Sequence, residues 1–259
     1  MSHIRGPDRL GDMRIAIAGG TGTLGSLVAA ELARRGHEVR VLSRSAPEYC
    51  VDLATGSGLA DALAGCDVVV DASNNSSRRA ADVLVAGTRR LLEAEDAAGV
   101  RHHVCISIVG CELAPVGYYW VKAEQEQVAA QGPVPCSVVR ATQFHELVLA
   151  ALTAGGRWRV LPVPRARVQP IACAEVAGVV ADVAAGTPGK GWVQVAGPQV
   201  TEARDLARIW RSVTGRRTAL IPVPLPGRLG RALRSGALTV ERPDVRGTVT
   251  FADWLAARR

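Results

Sequence analysis

Tyr118 and Lys122 stand four residues apart, so on a helix they share one face. A phenol titrates at about 10 and is a poor proton shuttle at neutral pH unless a cation stabilises its phenolate. Lys122 would supply that charge, and Tyr118 could then give a proton to a substrate oxygen or remove one in reverse. A second set of residues suits a different task. The run from Gly19 to Gly25, Gly-Gly-Thr-Gly-Thr-Leu-Gly, lets the backbone turn tightly and approach a diphosphate. The free N–H groups and positive dipole end of a following helix would meet that anion. About 20 residues on, an NAD site places an acid on the ribose 2′-hydroxyl. This chain offers Ser43 and Arg44 there, and Glu38 lies at the wrong end of its strand. A hydroxyl and a bidentate guanidinium suit a 2′-phosphate, which implies NADP(H).

The elements that must hold these residues follow from the pattern. Met13 to Gly19 is a short apolar run ending in glycine, the profile of a buried parallel strand. Leu24 to Arg35 has apolar residues at helical spacing and stops at Gly36. Strands are predicted at 38–42, 49–53, 67–72, 103–108 and 136–141, with helices at 57–63, 80–98 and 118–131. Such alternation implies right-handed crossovers and an α/β, Rossmann-type doubly wound parallel sheet. After residue 145 the rhythm loosens. Helical pieces at 144–154, 174–185 and 201–214 alternate with the links Leu161-Pro-Val-Pro and Ile221-Pro-Val-Pro-Leu-Pro. The expected organisation is a flexible leader over 1–12, a nucleotide-binding core over 13–145 and a smaller C-terminal part over 146–259. That last part should pack on the same domain and cover the carboxyl edge of the sheet, where ligands of such folds lie.

Composition narrows the function further. Hydrophobic residues make up 48%, ample for a core, and no apolar stretch reaches membrane-spanning length. The polar N-terminus lacks the apolar run of a signal peptide, so a cytoplasmic protein is expected. The six cysteines form no C-x-x-C pair and sit mostly in apolar runs, where they act as small hydrophobes; no metal site is expected. His102 and His103 would point to opposite faces of a strand. The formal charge of +7 comes from dispersed arginines, with lysine only at 122 and 190. This looks like a GC-rich coding bias more than a nucleic-acid surface.

Further segments sharpen the picture: Asp52-Leu53, Asp71-Ala-Ser-Asn74, Ile106-Ser-Ile-Val-Gly110, Tyr118-Tyr-Trp-Val-Lys122, Val139-Arg-Ala-Thr-Gln-Phe-His145 and Val195-Ala-Gly-Pro198. Together with the G-x-x-G-x-x-G spacing, they resemble atypical short-chain dehydrogenases/reductases of the NmrA-like type, over about residues 13–257. The resemblance implies NADP(H) held by Gly19, Thr21, Gly22, Thr23, Leu24, Gly25, Ser43 and Arg44. Asp52 and Leu53 would lie beside the adenine, Asp71, Ala72 and Ser73 at the fourth strand's end, Lys122 on the nicotinamide ribose and Thr142 near the nicotinamide. It implies Tyr118 as proton donor and Ser107 as a hydrogen-bond donor to the same substrate oxygen. The family serine aligns with Ser107 or with Ile108, and Asp71 stands where many relatives carry Asn. Gln143, Phe144, His145 and Trp120 are expected to face the substrate, with Trp158 a second aromatic candidate. His145 reads either as an auxiliary acid or base or as a hydrogen-bonded structural histidine.

The expected activity is NADPH-dependent reduction of a ketone or quinone on a small organic molecule, in a natural-product or detoxification setting, by a monomer or homodimer. Two other readings stay open. One is a nucleotide-sensing regulator that binds NADP(H) without catalysis; the other is an epimerase or dehydratase that recycles bound NADP(H).

Overall fold

The computed structural model describes residues 13–114, 116–156, 159–189 and 191–258. The expected leader over 1–12 and the side chain of Trp158 lie outside these residues. The first half alternates as β1 (Arg14–Ala18), α1 (Thr23–Arg34), β2 (Glu38–Ser43), β3 (Tyr49–Cys50), α2 (Leu59–Leu63) and β4 (Val68–Asp71). It continues through α3 (Ala80–Leu84), α4 (Ala86–Ala98), β5 (His102–Ile108), α5 (Gly117–Gln131) and β6 (Cys136–Ala141). The second half holds α6 (His145–Gly155), β7 (Val160–Pro164), β8 (Arg167–Val168), α7 (Cys173–Ala185), β9 (Gly191–Ala196) and β10 (Thr201–Glu202). It ends with α8 (Ala203–Thr214), β11 (Ala219–Val223), α9 (Gly227–Ser235), β12 (Val245–Arg246) and α10 (Phe251–Ala256).

Eight strands form one parallel sheet in the order β12-β9-β6-β5-β4-β1-β2-β3. Strands buried on both sides must be apolar on both sides, and β1 is. Ile15 and Ile17 join Val70, Val104, Val139 and Val180 in a core under α1 and α7. Ala16 and Ala18 face Leu63, Val69 and Leu91 under α2 and α4. The strand order reverses between β1 and β4, which opens a crevice at their carboxyl ends where the glycine turn follows β1.

The structure bears out the fold class, with local differences. The strand expected over 49–53 pairs only at Tyr49–Cys50, because the Asp52 carboxylate takes the Ala54 amide (2.9 Å) and turns the chain. The helix expected over 80–98 is broken at Val85, and Gly87 packs against Leu53. The boundary at 145 does not follow the sheet. α7 packs on α1 through Ala177, Ala181 and Ala184, and β9 lies beside β6, so later residues return to the core. The remaining C-terminal elements form a lobe around buried Trp210, with Leu152, Leu161, Val163, Leu206, Phe251 and Leu255. Among the described residues no helix is long and apolar enough to cross a membrane.

The two histidines of β5 diverge as the strand's alternation requires. His102 meets Ser137 (2.9 Å), and burial with the neighbouring His103 pushes its pKa down to about 4. His103 meets Glu95 (2.8 Å), both fully buried. Burial opposes the imidazolium, but the Glu95 charge and hydrogen bond outweigh it and raise His103 well above its usual range. Removing one partner of a buried pair strands the other charge. Glu95→Ala should therefore cost on the order of 3–5 kcal/mol in chemical denaturation, whereas a loss under about 1 kcal/mol would mean the pair is not charged.

Candidate functional site

The glycine turn sits against the end of β4. Gly19 has φ +73°, a conformation that favours glycine, and a Cβ there would come within 2.8 Å of the Ala72 carbonyl oxygen and the Ser73 Cα. A Cβ on Gly25 would collide with the Gly19 carbonyl. The turn is thus compact: the Gly19 amide donates to Leu42 O (2.9 Å) and the Gly22 amide to Gly19 O (2.9 Å). No side chain caps α1, and the Thr23 and Leu24 amides reach no acceptor among the described residues. Unpaired amides, a helix N-terminus and glycines too close-packed for side chains together suit a diphosphate.

At the neighbouring strand ends, Ser43 is half-buried and Arg44 exposed. The Ser43 hydroxyl accepts from the Ser45 amide (3.2 Å), which tightens the turn, while the Arg44 guanidinium makes no ion pair among the described residues. Asp52 is half-buried and Leu53 buried under Gly87.

Tyr118 opens α5 half-buried, its hydroxyl donating to the Asn74 side-chain oxygen at 2.7 Å. Burial, and then the adjacent Tyr119, push its pKa up to about 12; the Asn74 bond works the other way. Lys122 is not among the groups that set this value. Its ammonium is buried beneath the helix, donating to the Ile106 carbonyl (2.7 Å) and to the Gln125 side-chain oxygen. The expectation that Lys122 lowers the Tyr118 pKa is therefore not met in this arrangement. The two side chains share a helix face but part in depth.

Gln125 passes the connection on. Its Nε2 donates to Asp71 (3.0 Å) and to the Thr88 hydroxyl (2.9 Å), and Thr88 donates to the same Asp71 oxygen (2.8 Å). The other Asp71 oxygen accepts from the Ser73 amide (3.0 Å). Asp71 is fully buried, so its carboxylate faces α4 and α5, while Ala72 and Ser73 carry the chain past Gly19.

The other expected site residues fall in several places. Ser107 is buried, its hydroxyl 4.0 Å from the Cys111 sulfur. Burial, reinforced by Glu126, pushes that thiol up to about 12. Glu126 in turn holds the Arg140 guanidinium of β6 (3.0 Å). Thr142 is buried, its hydroxyl accepting from the Gly197 amide (3.2 Å). Gln143 is half-buried and spans Leu238 O (2.8 Å) and the Gln169 amide (2.9 Å); Phe144 packs against the core. Trp120 points to solvent, 57% exposed. His145 has no exposed surface: it meets Val249 O (3.0 Å) and packs against the stacked pair Phe251 and Trp254, and burial lowers its pKa. Of its two sequence readings the geometry fits the structural one, since a substrate could not reach the ring.

The sequence pattern described as NAD(P)H-binding matches residues 19–186, well over half of the chain. The chain belongs to the NAD(P)H-binding family. No curated protein matches it. Solved structures share its fold across nearly its full length. They include an NADPH-dependent quinone oxidoreductase from Escherichia coli, complexed with NADPH (18% identity, 94% of this chain and 99% of that one, TM-score 0.79). A nucleoside-diphosphate-sugar epimerase from Staphylococcus aureus aligns at 17% identity over 94% and 100% of the two chains, with a TM-score of 0.75. A short-chain dehydrogenase/reductase superfamily protein from Agrobacterium tumefaciens with bound NAD aligns at 20% identity over 95% and 96%, with a TM-score of 0.71. These findings agree with the atypical short-chain dehydrogenase resemblance of the sequence.

The match to the NAD(P)H-binding family begins at the glycine turn, where the nucleotide is expected, and that expectation can be tested directly. Sequence reasoning assigned no role to Asn74, Thr88 or Gln125, although Asn74 closes one of the segments that carry the resemblance and Gln125 lies one turn beyond the candidate lysine. Gly25→Ala should weaken NADPH binding by at least about tenfold in calorimetry, with the circular dichroism spectrum retained, because the added methyl forces the Gly19 carbonyl out of place. Unchanged affinity would show that the nucleotide lies elsewhere.

Proposed function

We propose that the chain is an NADPH-dependent reductase acting on the carbonyl of a ketone or quinone on a small organic molecule, with Tyr118 as the proton donor. The observation that carries this reading is the position of the Tyr118 hydroxyl. It stands half-buried, 2.7 Å from Asn74, and Asn74 follows the residue that lies against Gly19. Bound NADPH would supply the hydride. Tyr118 is protonated at neutral pH, the form from which a donor starts; its pKa of about 12 makes it a weaker acid than a free phenol, so the transfer relies on the strongly basic oxygen that hydride addition creates. A substrate oxygen that replaces Asn74 as acceptor receives the hydrogen bond, and then the proton. An ammonium has three donors, and Lys122 commits two, to Ile106 and Gln125. The third is left for a ribose hydroxyl of the nucleotide.

Ser43 and Arg44 support the choice of NADPH. An exposed guanidinium without an internal partner loses nothing by meeting a 2′-phosphate, whereas a 2′-hydroxyl gives it little to hold. Arg44→Ala should raise the NADPH dissociation constant about tenfold and leave that of NADH nearly unchanged. Equal weakening of both would refute the 2′-phosphate contact.

Turnover is followed as loss of NADPH absorbance against a panel of ketones and quinones. Tyr118→Phe should reduce kcat by about 10²–10⁴-fold with NADPH affinity retained. A variant as fast as the wild type removes Tyr118 from the chemistry. Because a raised phenol pKa means the proton leaves only as pH climbs towards about 12, the wild-type rate of reduction should stay flat on the alkaline side up to about pH 10.

A further inference from the structure

The proline-rich links noted in the sequence come together in the C-terminal lobe. β7 and β11 pair in parallel, with Pro162 and Pro164 on one strand and Pro222 on the other. Beside them a hollow of about 530 Å³ is lined by Arg165, Arg204, Arg208 and Arg234, with two acids, Glu202 and Asp205. A second hollow of about 500 Å³ shares Arg165, Pro222 and Arg234 with the first and continues along Val223, Pro224, Leu225 and Pro226. The two form one groove, cationic at one end and apolar along the other.

The charges in it are unevenly committed. Arg208 is tied to Asp205 (2.8 Å) and Arg234 to the Leu225 carbonyl (2.8 Å). The guanidinium groups of Arg165 and Arg204 meet no acceptor among the described residues. The 12-residue helix α8 begins at the same place, uncapped by any side chain, so its positive end adds to theirs. The sequence distributes charge accordingly. Residues 146–259 carry 17 Lys and Arg against 8 Asp and Glu, while residues 1–145 carry 14 against 16. The chain's net positive charge thus belongs to this half, which holds the groove.

The groove also has a defined relation to the proposed active site. Helix α9 bears Arg234, while its Ala232 and Leu233 pack with Tyr119 and Ala114 at the start of α5. A helix is about 10 Å across, so the groove and the Tyr118–Tyr119 pair flank one helix. β8 leads from Arg165 into Gln169, whose amide is held by Gln143 at the end of β6 (2.9 Å).

We propose that this groove binds an amphiphilic organic acid, its carboxylate or phosphate held by Arg165 and Arg204 and its apolar body lying along Pro222 to Pro226. If Tyr118 reduces a carbonyl, that acid is the far end of the substrate; only this last step rests on the reductase reading. Guanidinium groups recognise carboxylate and phosphate through the same paired N–H donors, so the probes must separate the two. Calorimetry on protein saturated with NADPH, which keeps anions out of the nucleotide site, would compare hexyl phosphate, hexanoate and hexanol. One of the two anions should bind at least about tenfold more tightly than hexanol and weaken as salt is raised, and the tighter one names the oxyanion. The Arg165→Ala/Arg204→Ala double variant, altered only at exposed side chains, should lose about tenfold for that anion and keep its NADPH affinity within about twofold. Anions that bind no better than hexanol, that fail to bind at about 10 mM, or that bind the double variant as they bind the wild type would overturn the proposal. Each of these readouts is independent of carbonyl turnover, so a failed Tyr118 assignment and an empty groove remain separate results.

Discussion

A carboxylate shut away from water must be fully hydrogen-bonded, because the desolvation cost of an unmet charge exceeds what most single contacts return. Asp71 meets that demand with three donors: the Ser73 amide, the Thr88 hydroxyl and the Gln125 amide nitrogen. Each comes from a different part of the site. Ser73 is the backbone that presses on the glycine turn, Thr88 fixes α4, and Gln125 fixes α5 together with Lys122. One buried anion thereby sets the position of the nucleotide turn relative to the tyrosine-bearing helix. Networks of this kind rigidify a site when every member is satisfied, and here every oxygen of the carboxylate has a partner.

That constraint explains why Tyr118 and Lys122 behave differently from what their spacing suggests. The i and i+4 positions of a helix share a face, but α5 packs over β5 and β6 with that face turned partly inward. Lys122, one turn further in, is drawn to Ile106 O and Gln125, whereas Tyr118 stays near the surface beside Asn74. With the ammonium held below, burial dominates the phenol and its pKa goes up. A tyrosine in that state keeps its proton throughout the neutral range.

How much of this was readable from the residues depends on range. The glycine turn, the strand–helix rhythm to Ala141 and the opposite faces of His102 and His103 are local signals, and the structure follows them closely. β9 was not legible, because Gly191 to Ala196 gains its place by pairing with β6 and β12, both about fifty residues away. The same holds for His145. Its neighbours Phe251 and Trp254 come from the far end of the chain, and no window of sequence places them on its ring. Asn74 and Gln125 were hidden for a related reason: each becomes meaningful only through a partner on another element.

The identity of residue 71 also follows from this network. Many proteins that the sequence resembles carry Asn there, and an amide offers one acceptor oxygen where Asp71 uses two. An Asn would turn an NH₂ group towards either the Ser73 amide or the Thr88 and Gln125 donors, setting donor against donor. Gln125 could answer by reversing its own amide, but its oxygen would then face residue 71 and its nitrogen would face the Lys122 ammonium. The lysine would lose an acceptor and gain a repulsive neighbour in a buried place. Asp71 and the observed orientation of Gln125 are therefore coupled through hydrogen-bond direction, and the departure at residue 71 is matched by the glutamine three residues after the lysine. In this chain the strand-end acid reaches Lys122 only through Gln125, from beneath the helix.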